Sequence, residues 1–375
     1  MLDSLFDLES LGWDDFFRSS FQSEDRVGCI PGRVVQEHRG SYQIFTERGE
    51  LWSSLSGRLR HKSSRRDQLP AAGDWVVIRR LYDESSAAIV AVLPRKSQFI
   101  RGAAGDKTEA QVIAANIDTV FLMMAVNRDF NLRRIERYLV MACGSGAQPV
   151  VVLSKSDLCA DAGHKALELE TVSMGAPIHV VSVLKETGLG AVRRYFAPGK
   201  TVALLGSSGV GKSTLINYLL SEEVQKTQEL RRRDGRGRHT TTSRQLMLVP
   251  GGGLVLDTPG IRELQLWDER DRPAGPPQEY GRSPGIQRAF GDIESLAEHC
   301  RYRDCSHGGE PGCAVQAALA TDGLDAERLR SYEKLRKELR YQERRQNKAV
   351  EIREKNKWKR LCRSARERAV MKRRG

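Results

Sequence analysis

The sequence lacks an apolar run long enough to cross a membrane. Its longest apolar stretches, residues 119–126 and 149–153, have the length of a β-strand, whereas a membrane-spanning helix needs about 20 apolar residues. The first 25 residues lack the basic start and unbroken apolar core of a secretory signal, because acidic residues interrupt them. We therefore expect a cytoplasmic protein with no membrane partner.

A disulfide framework and an internal repeat are also missing. The chain has 375 residues and seven cysteines, of which three cluster between residues 300 and 313. An odd number of cysteines with one cluster is typical of reduced thiols and a metal site rather than of a disulfide-rich scaffold. The length predicts two or three domains.

The formal net charge of +13 is unevenly distributed. Residues 1–25 carry seven acidic residues and one arginine, whereas residues 344–375 carry fourteen basic and three acidic residues. A basic block favours a polyanionic partner, because contacts with phosphates release condensed counterions. Charge alone also fits a solvated helical face, so the tail indicates nucleic acid without establishing it.

Residues 27–98 contain short apolar segments separated by turn residues, which is typical of a small closed barrel such as an OB-fold. Basic residues crowd the connection after the third segment, and Tyr42 and Trp52 are nearby in sequence. This mixture suits a surface that stacks bases and contacts phosphates, although a basic loop beside core aromatic residues fits as well. The predicted strands are 33–37, 42–46, 51–59, 74–79 and 87–93. The basic residues are Arg58, Arg60, His61, Lys62, Arg65 and Arg66.

From residue 117 onwards, apolar strands alternate with helices, which indicates a parallel sheet covered on both faces. Residues 131–143 have the apolar spacing of a helix, and residues 325–344 predict a second one near the C-terminus. Residues 268–290, rich in proline, glycine and charge, are interpreted as a linker or insertion. The predicted strands are 119–126, 150–153, 178–181, 201–205, 245–249 and 254–256.

Residues 206–213 fit the phosphate-binding pattern GxxxxGK[ST] between an apolar strand and a helix, a context that disfavours a chance glycine-rich turn. Glycines let backbone N–H groups converge on phosphate oxygens. Lys212 should contact the β- and γ-phosphates, and the Ser213 hydroxyl should bind Mg²⁺. The nucleotide-binding residues predicted here are Gly206, Ser207, Ser208, Gly209, Val210, Gly211, Lys212, Ser213 and Thr214.

The sequence DTPG, residues 257–260, closes the strand 254–256. Asp257 is predicted to hold Mg²⁺, and the Gly260 N–H to sense the γ-phosphate. Upstream, three successive threonines offer hydroxyls to Mg²⁺; we choose Thr241, although Thr240 and Thr242 fit equally well.

Hydrolysis of a bound nucleoside triphosphate needs a protein group that orients the water attacking the γ-phosphate. Ile261 follows DTPG, and a hydrophobic side chain cannot orient water. We therefore expect slow intrinsic hydrolysis. His239, beside the threonines, is the candidate for positioning water, so the predicted catalytic residues are His239, Thr241 and Lys212. A role of His239 in RNA contact or packing is equally compatible.

A guanine signature precedes the phosphate-binding loop. Ser154, Lys155, Ser156 and Asp157 follow a strand at the position of the usual NKxD motif. Asp157 can accept hydrogen bonds from guanine N1–H and the 2-amino group, whereas adenine would leave the carboxylate unpaired. The stem of Lys155 can lie over the base. Ser154 replaces asparagine, which predicts one weaker contact, and Ser182 matches the element whose backbone N–H reads guanine O6.

This order of motifs predicts a circularly permuted GTP-binding domain. In ordinary GTPases the phosphate loop, switch threonine and DxxG precede the guanine motifs, whereas here the guanine motifs come first. The same sheet can form when the termini of an ordinary GTPase domain are joined and the chain is opened at another point, because termini lie at the surface. As a consequence, movement at Gly260 would be transmitted along the chain into the cysteine-rich segment.

Three cysteines and one histidine form the pattern C-x4-C-x-H-x5-C. Three thiolates and an imidazole match a closed tetrahedral Zn²⁺ site, and a segment with little apolar mass needs such a ligand to fold. Reduced cysteines in a loop are the less favoured alternative. The predicted zinc ligands are Cys300, Cys305, His307 and Cys313, and Ser213, Thr241 and Asp257 are the predicted magnesium ligands.

The motif order, with residues 94–96 and 115–118, resembles the circularly permuted small-ribosomal-subunit biogenesis GTPases (ribosome small-subunit-dependent GTPase A) across residues 28–340. The resemblance implies a multidomain protein with an OB-fold β-barrel, a permuted α/β P-loop GTPase domain and a small zinc-binding α domain. It also implies GTP hydrolysis stimulated by the 30S subunit during late maturation, with 16S rRNA as partner. Ser154 and the long 268–290 segment depart from the family pattern.

The expected cofactors are GTP/GDP, Mg²⁺ and one structural Zn²⁺, and we expect a monomer. Two other functions are alternatives: a nucleotide-dependent RNA-binding adaptor with little hydrolysis, and an ATP-driven nucleic-acid enzyme, which Asp157 disfavours. The predicted segments are an acidic and aromatic extension (1–26), an OB-fold RNA-binding domain (27–98), a permuted G domain (99–267), a linker (268–290), a zinc domain (291–343) and a basic helical tail (344–375).

Overall fold

The computed structural model describes residues 6–22, 28–63, 66–80, 87–102, 110–127, 129–227, 245–257, 283–346 and 355. None of the helices within these residues is long and apolar enough to span a membrane.

The N-terminal region contains a closed five-stranded barrel, as predicted. Its strands are β1 (Cys29–His38), β2 (Ser41–Thr46), β3 (Gly49–Leu55), β4 (Trp75–Arg80) and β5 (Ala87–Val92). They close in the order β1-β2-β3-β5-β4, with β3 and β5 parallel and the other pairs antiparallel. Alternate apolar side chains such as Val34, Ile44 and Ile78 fill the interior.

The third strand is shorter than predicted. It ends at Leu55, and Ser56 caps a helix, α2 (Gly57–Lys62), by accepting a 3.2 Å hydrogen bond from the Leu59 N–H. A serine at this position satisfies a helix N–H that would otherwise lack a partner. Four of the basic residues predicted to crowd this connection therefore lie on or beside one exposed helical turn.

The N-terminal extension packs against the barrel rather than standing apart from it. Trp13 and the Phe17 ring of α1 (Asp15–Gln22) are buried, and the ring centroids of Trp13 and Trp75 lie 4.7 Å apart. Asp14 forms an ion pair with Lys96. The aromatic residues of the extension thus complete a hydrophobic core.

Arg33 joins the extension, the barrel and the next domain. Its buried guanidinium donates to the Leu11 carbonyl, to the Asn116 carbonyl at 3.0 Å and to Thr201 Oγ1 at 2.8 Å. Burial lowers the pKa of Arg33 to about 10, with acidic residues including Asp118 opposing the shift. A hairpin of β6 (Gln98–Gly102) and β7 (Ala110–Ala115) leads from the barrel to the larger sheet.

The central region is a six-stranded sheet with the order β10-β9-β8-β11-β13-β12. Its strands are β8 (Thr119–Ala125), β9 (Gln148–Ser154), β10 (Ile178–Val180), β11 (Thr201–Gly206), β12 (Gln245–Leu248) and β13 (Leu254–Asp257). The helices are α3 (Leu132–Ser145), α4 (Ala162–Ser173), α5 (Leu189–Arg193) and α6 (Lys212–Thr227). β8 and β11 are buried along their whole length, which is why their sequences are almost uninterrupted apolar runs.

The sheet is parallel, as predicted, except at one edge. β12 pairs antiparallel with β13. A short turn, residues 249–253, joins them, and a parallel pair would require a crossover of a dozen or more residues. Gly251, Gly252 and Gly253 all have positive φ in this turn.

The C-terminal region is helical and docks on α3. It comprises α7 (Pro284–Ala289), α8 (Gly291–Ala297), α9 (Ala314–Ala320) and α10 (Ala326–Gln346). The predicted linker is thus wrong at its C-terminal end, because α7 lies within it and packs against α3. A Cβ at Gly285 would lie 2.3 Å from the Val140 carbonyl oxygen, so only glycine permits this approach. Residues 268–282 lie outside the described residues.

Charged side chains reinforce this docking. Arg137 of α3 makes a bidentate pair with Glu338 of α10, with both N–O distances 2.6 Å. Arg328 of α10 donates to Glu136 at 3.0 Å and to Asp292 at 2.6 Å. Burial raises the pKa of Glu136, and the neighbouring arginines oppose that shift. The helix α3 therefore carries the C-terminal region on its outer face.

Candidate nucleotide site and metal centre

The predicted nucleotide-binding residues converge at the carboxyl edge of the sheet. Asp157 follows β9, the phosphate loop follows β11, and Asp257 ends β13. Because β9, β8, β11 and β13 are parallel neighbours, these ends lie side by side. Ligands of open α/β sheets bind at this edge.

The phosphate loop runs from β11 into α6, as its sequence predicts. Gly206 has no room for a side chain, because a Cβ there would lie 2.5 Å from the Met123 carbonyl oxygen. Gly209 and Gly211 have φ values of 79° and 100°, which other residues rarely adopt. Ser208, Gly209, Ser213 and Thr214 are exposed, so the loop and the first turn of α6 are open to a ligand.

Lys212 folds back over this loop. Its Nζ donates to the carbonyl oxygens of Gly206 at 2.7 Å and of Ser207 at 2.6 Å. A phosphate is a stronger acceptor for an ammonium group than a backbone carbonyl, because the bond is charge-assisted on both sides. Lys212 is thus bonded to the loop beside the position at which it would contact a nucleotide.

The guanine signature is braced by serine hydroxyls. Ser182 Oγ donates to Asp157 Oδ1 at 2.5 Å and accepts from the Lys185 N–H at 3.1 Å. The Ser182 N–H itself donates to the Thr187 carbonyl at 3.0 Å, so its hydroxyl, rather than its N–H, serves this site. Ser156 is tied to the same segment by a 3.1 Å bond from its N–H to the Val181 carbonyl.

Ser154 connects the guanine signature to the phosphate loop. Its buried Oγ lies 2.6 Å from the Val210 carbonyl oxygen and 3.2 Å from that of Met124. Serine has one hydroxyl proton, so the shorter contact is the principal hydrogen bond. The loss of asparagine was expected to weaken either a base contact or a loop-bracing hydrogen bond, and serine makes a loop-bracing bond itself.

Lys155 also lies against the phosphate loop. It adopts a left-handed conformation with φ of 59°, and its Cε lies 4.0 Å from the position of a Cβ built on Gly211. The side chain therefore runs along the loop, which suits the predicted role of its stem as a cover for the base.

One cluster beside the phosphate loop was not found from the sequence. Asp129 Oδ1 accepts a 2.7 Å bond from Ser207 Oγ and pairs with Arg134, which lies in the first turn of α3. The sequence signal was weak, because an Asp and an Arg five positions apart are common on surfaces. The contact to Ser207 spans 78 positions and depends on the order of the strands.

Several predicted residues lie outside the described residues: His239, Thr240, Thr241, Thr242 and Gly260. Asp257 is described at the end of β13, next to the phosphate-loop strand β11. Its role as a magnesium ligand stays a prediction.

The predicted zinc ligands come together. The ligand atoms of Cys300, Cys305, His307 and Cys313 all lie within 4.8 Å of one another. Cys300 Sγ is 3.9 Å from Cys313 Sγ and 3.7 Å from His307 Nδ1. In a tetrahedral zinc site with Zn–S bonds of about 2.3 Å, sulfur atoms are roughly 3.8 Å apart. The donor set and its spacing therefore fit Zn²⁺.

Backbone polar groups favour the thiolate form of Cys300, one of the four ligands. Burial opposes ionisation of Cys300, but backbone N–H groups of Ala314 and Val315 hold the pKa of its thiol below the usual value. Glu310, which sequence reasoning missed, accepts from the Ser306 hydroxyl and from the Gly308 N–H at 2.8 Å. These bonds hold the pKa of Glu310 at about 2, so it braces the ligand loop as a carboxylate.

Comparison with known proteins agrees with this arrangement. The RsgA GTPase family profile matches residues 92–267. A small ribosomal subunit biogenesis GTPase RsgA from Opitutus terrae is 46% identical over 370 residues, which cover 96% of this chain and 97% of that protein. A protein of the same name from Methanosarcina acetivorans is 39% identical, covering 94% and 90% of the two chains.

Two solved structures are similar to the chain. The crystal structure of YjeQ from Thermotoga maritima matches with a TM-score of 0.61 and 27% identity, covering 83% of this chain and 98% of that one. YloQ, described as a circularly permuted GTPase, matches with a TM-score of 0.58 and 23% identity, covering 84% and 96%, and supports the fold alone. The comparisons give no support to the non-hydrolysing adaptor. The chain belongs to the RsgA GTPase family and is a GTP hydrolase.

Proposed function

We propose that the chain binds GTP between Asp157 and the phosphate loop and hydrolyses it while engaged with the small ribosomal subunit. Hydrolysis would accompany late subunit maturation and release of the protein. The observation that carries the proposal is the 2.6 Å bond from Ser154 Oγ to the Val210 carbonyl, which holds the guanine motif and the phosphate loop together. The small ribosomal subunit is proposed as the partner because the similar proteins are named small ribosomal subunit biogenesis GTPases.

Each end of the nucleotide has its own residues in this proposal. Asp157, held by Ser182, accepts from the guanine edge, and the Lys155 stem covers the base. Backbone N–H groups of residues 209–214 and Lys212 bind the phosphates. Adenine would leave the Asp157 carboxylate without donors, which is costly in a partly buried site.

Mg²⁺ would be held by Ser213, Asp257 and Thr241, and it neutralises charge on the phosphates when bound. His239 remains our candidate for positioning water. The side chains of Lys155, Asp157 and Lys212 bind and orient the nucleotide in this proposal. The cysteine cluster would hold one Zn²⁺, which stabilises the loop between α8 and α9 through four protein ligands.

The contact with RNA is proposed for the barrel and the basic tail. Trp52 is 48% exposed on β3, a few residues before the basic helix α2 in the sequence, which suits base stacking combined with phosphate contacts. Tyr42 is buried in the barrel core and does not contribute to such a surface. We propose 16S rRNA as the ligand, a monomeric state, a cytoplasmic location and the domain boundaries predicted from the sequence, with the linker ending before α7.

The test is GTP turnover by the full chain with and without purified small ribosomal subunits. We expect slow turnover alone and marked stimulation by small subunits. Large subunits, and ATP in place of GTP, are the controls and should give little turnover. Equal turnover with either subunit, or with ATP, would contradict the proposal.

A further inference from the structure

A partly buried ion pair lies against the phosphate loop and has no part in the function described so far. Arg134 Nη1 pairs with Asp129 Oδ1, lies 3.2 Å from the Asp129 carbonyl oxygen and reaches to 3.4 Å from Ser207 Oγ. Asp129 Oδ1 in turn accepts from Ser207 Oγ at 2.7 Å. The guanidinium therefore touches the residue that follows the first glycine of the loop.

Arg134 is placed where a helix does not favour a cation. It stands in the first turn of α3, and the Asn131 side chain caps the helix by accepting from the Arg134 N–H at 3.0 Å. The N-terminal end of a helix carries partial positive charge, which disfavours arginine. The contact with Asp129 compensates for this position, so the pair keeps the guanidinium at the loop.

The pair is incompletely satisfied. Asp129 Oδ2 is buried and has no hydrogen-bond partner among the described residues. The guanidinium contacts of Arg134 within those residues all use Nη1, which leaves Nη2 available as a further donor. An unsatisfied buried carboxylate oxygen costs free energy, so a competing anion can exchange for Asp129 at low cost.

A second cation contacts the same residue. Lys212 Nζ donates to the Ser207 carbonyl at 2.6 Å, while Arg134 approaches the Ser207 hydroxyl. Two like charges near one residue repel each other unless an anion balances them, and in the resting protein the Asp129 carboxylate balances Arg134 alone. The γ-phosphate is the anion that this loop would bring to that place.

We propose that Arg134 is a catalytic residue that donates to the γ-phosphate during hydrolysis, and that Asp129 holds it away in the resting protein. Water attacks the γ-phosphorus, and the bond to the β–γ bridging oxygen breaks with its electron pair leaving on GDP. The protons of the water leave on the released phosphate and to solvent. Arg134 keeps all its protons and stabilises the negative charge spread over the γ-phosphate oxygens.

The inference rests on the GTPase activity but not on the ribosomal partner. A catalytic role and a purely structural role predict opposite effects of losing Asp129 on the rate of GTP hydrolysis. If Arg134 and Asp129 only brace Ser207, loss of either weakens nucleotide binding and slows turnover. If Asp129 restrains a catalytic arginine, its loss frees the arginine and speeds hydrolysis, whereas loss of Arg134 slows it.

The experiment measures single-turnover GTP hydrolysis and GTP affinity for the full chain, with and without small ribosomal subunits. The variants are Asp129→Asn, Arg134→Ala, Arg134→Lys and the double variant Asp129→Asn/Arg134→Ala. Arg133→Ala is the matched control, because Arg133 is the neighbouring arginine of α3 and pairs with Glu136 and Asp325 instead.

We expect Asp129→Asn to raise hydrolysis without subunits severalfold, and the double variant to lose that gain. Arg134→Ala should lower subunit-stimulated hydrolysis by roughly 1000-fold, the effect typical of a catalytic arginine, with GTP affinity within about threefold of the parent. Arg134→Lys should recover only part of the rate, because an ammonium lacks the planar fork. Arg133→Ala should keep the intrinsic rate.

Two outcomes would overturn the inference. One is a slower intrinsic rate for Asp129→Asn together with a matching loss of GTP affinity for Arg134→Ala, which identifies a brace. The other is parental turnover for Arg134→Ala. If subunits fail to stimulate even the parent protein, the proposed ribosomal function fails, but the opposite signs of the intrinsic rates still decide the role of Arg134.

Discussion

The guanine end and the phosphate end of the site are held in different ways. At the guanine end, the buried hydroxyls of Ser154 and Ser182 fix the recognition strand and orient Asp157, and a nucleotide need not break either bond. At the phosphate end, Lys212 and Arg134 are bonded to protein oxygens that a phosphate must replace. Recognition is therefore preorganised, whereas the catalytic end must rearrange, which gives a partner a step to control.

The largest expected effect comes from changing the base-reading group at the preorganised end. Asp157→Asn replaces an acceptor with an amide whose NH₂ faces the guanine donors, and each lost bond to a charged group is worth about 1.5–3 kcal/mol. We expect GTP affinity to fall on the order of 100-fold or more, with preference shifting to xanthosine triphosphate, which offers an acceptor instead.

The measurement is a nucleotide competition assay with GTP, ATP and xanthosine triphosphate. Asp161→Asn, four residues along in the same connection, is the control and should bind as the parent does; Asp161 makes no capping hydrogen bond with its side chain. Unchanged GTP preference in Asp157→Asn would show that the base is read elsewhere.

A smaller effect is expected at the phosphate end. Lys212→Ala removes one charged donor, so GTP affinity should fall about 10- to 100-fold. Affinity for guanosine should stay the same, because the base contacts are intact. Isothermal titration with both ligands measures this difference. Lys200→Ala, at the opposite end of β11, is the control, since Lys200 pairs with Asp118 there. An equal loss of affinity for guanosine and for GTP would contradict the division of the site into a guanine end and a phosphate end.

Loss of the brace between the two ends should have a still smaller effect on binding. Ser154→Ala leaves the buried Val210 carbonyl without its donor, which costs about 1–3 kcal/mol in the free energy of unfolding. GTP affinity should fall less than about 10-fold, because no ligand contact is removed. Denaturant unfolding and nucleotide titration check both values. Ser156→Ala is the control, and an equal effect there would rule out a specific brace.

The smallest effect on nucleotide binding is expected from removing the metal. A strong chelator, or Cys305→Ser, should expose the backbone between α8 and α9 to hydrogen exchange, because the four ligands that the ion would join all come from this segment. GTP affinity should remain unchanged, since the cluster lies in the helical C-terminal region. Cys159→Ser, outside the cluster, should leave exchange unaltered. Protection that survives metal removal would show that packing alone holds the loop.

The sequence predicted the parts of the fold that depend on local pattern. The apolar runs of β8, β9 and β11, the glycine spacing of the phosphate loop and the cysteine spacing are all local signals. The barrel was also predicted, although β3 gives way to α2 at a serine cap that the strand pattern concealed.

The features that were missed depend on tertiary contact. The position of α7 on α3 depends on the close approach of Gly285 to the Val140 carbonyl, which no local pattern reveals. The partnership of Asp129 and Arg134 with Ser207 exists only because β8 and β11 are neighbours in the sheet. The role of the basic tail and the choice among the three threonines remain predictions, since those residues lie outside the described part of the chain.

The most direct test of the two-ended site is a crystal structure of the full chain with a non-hydrolysable GTP analogue. The account predicts the guanine edge at Asp157, phosphates along residues 209–214, and Lys212 moved from the loop carbonyls to the β- and γ-phosphates. A base bound away from Asp157, or a phosphate chain outside the glycine-rich loop, would contradict it.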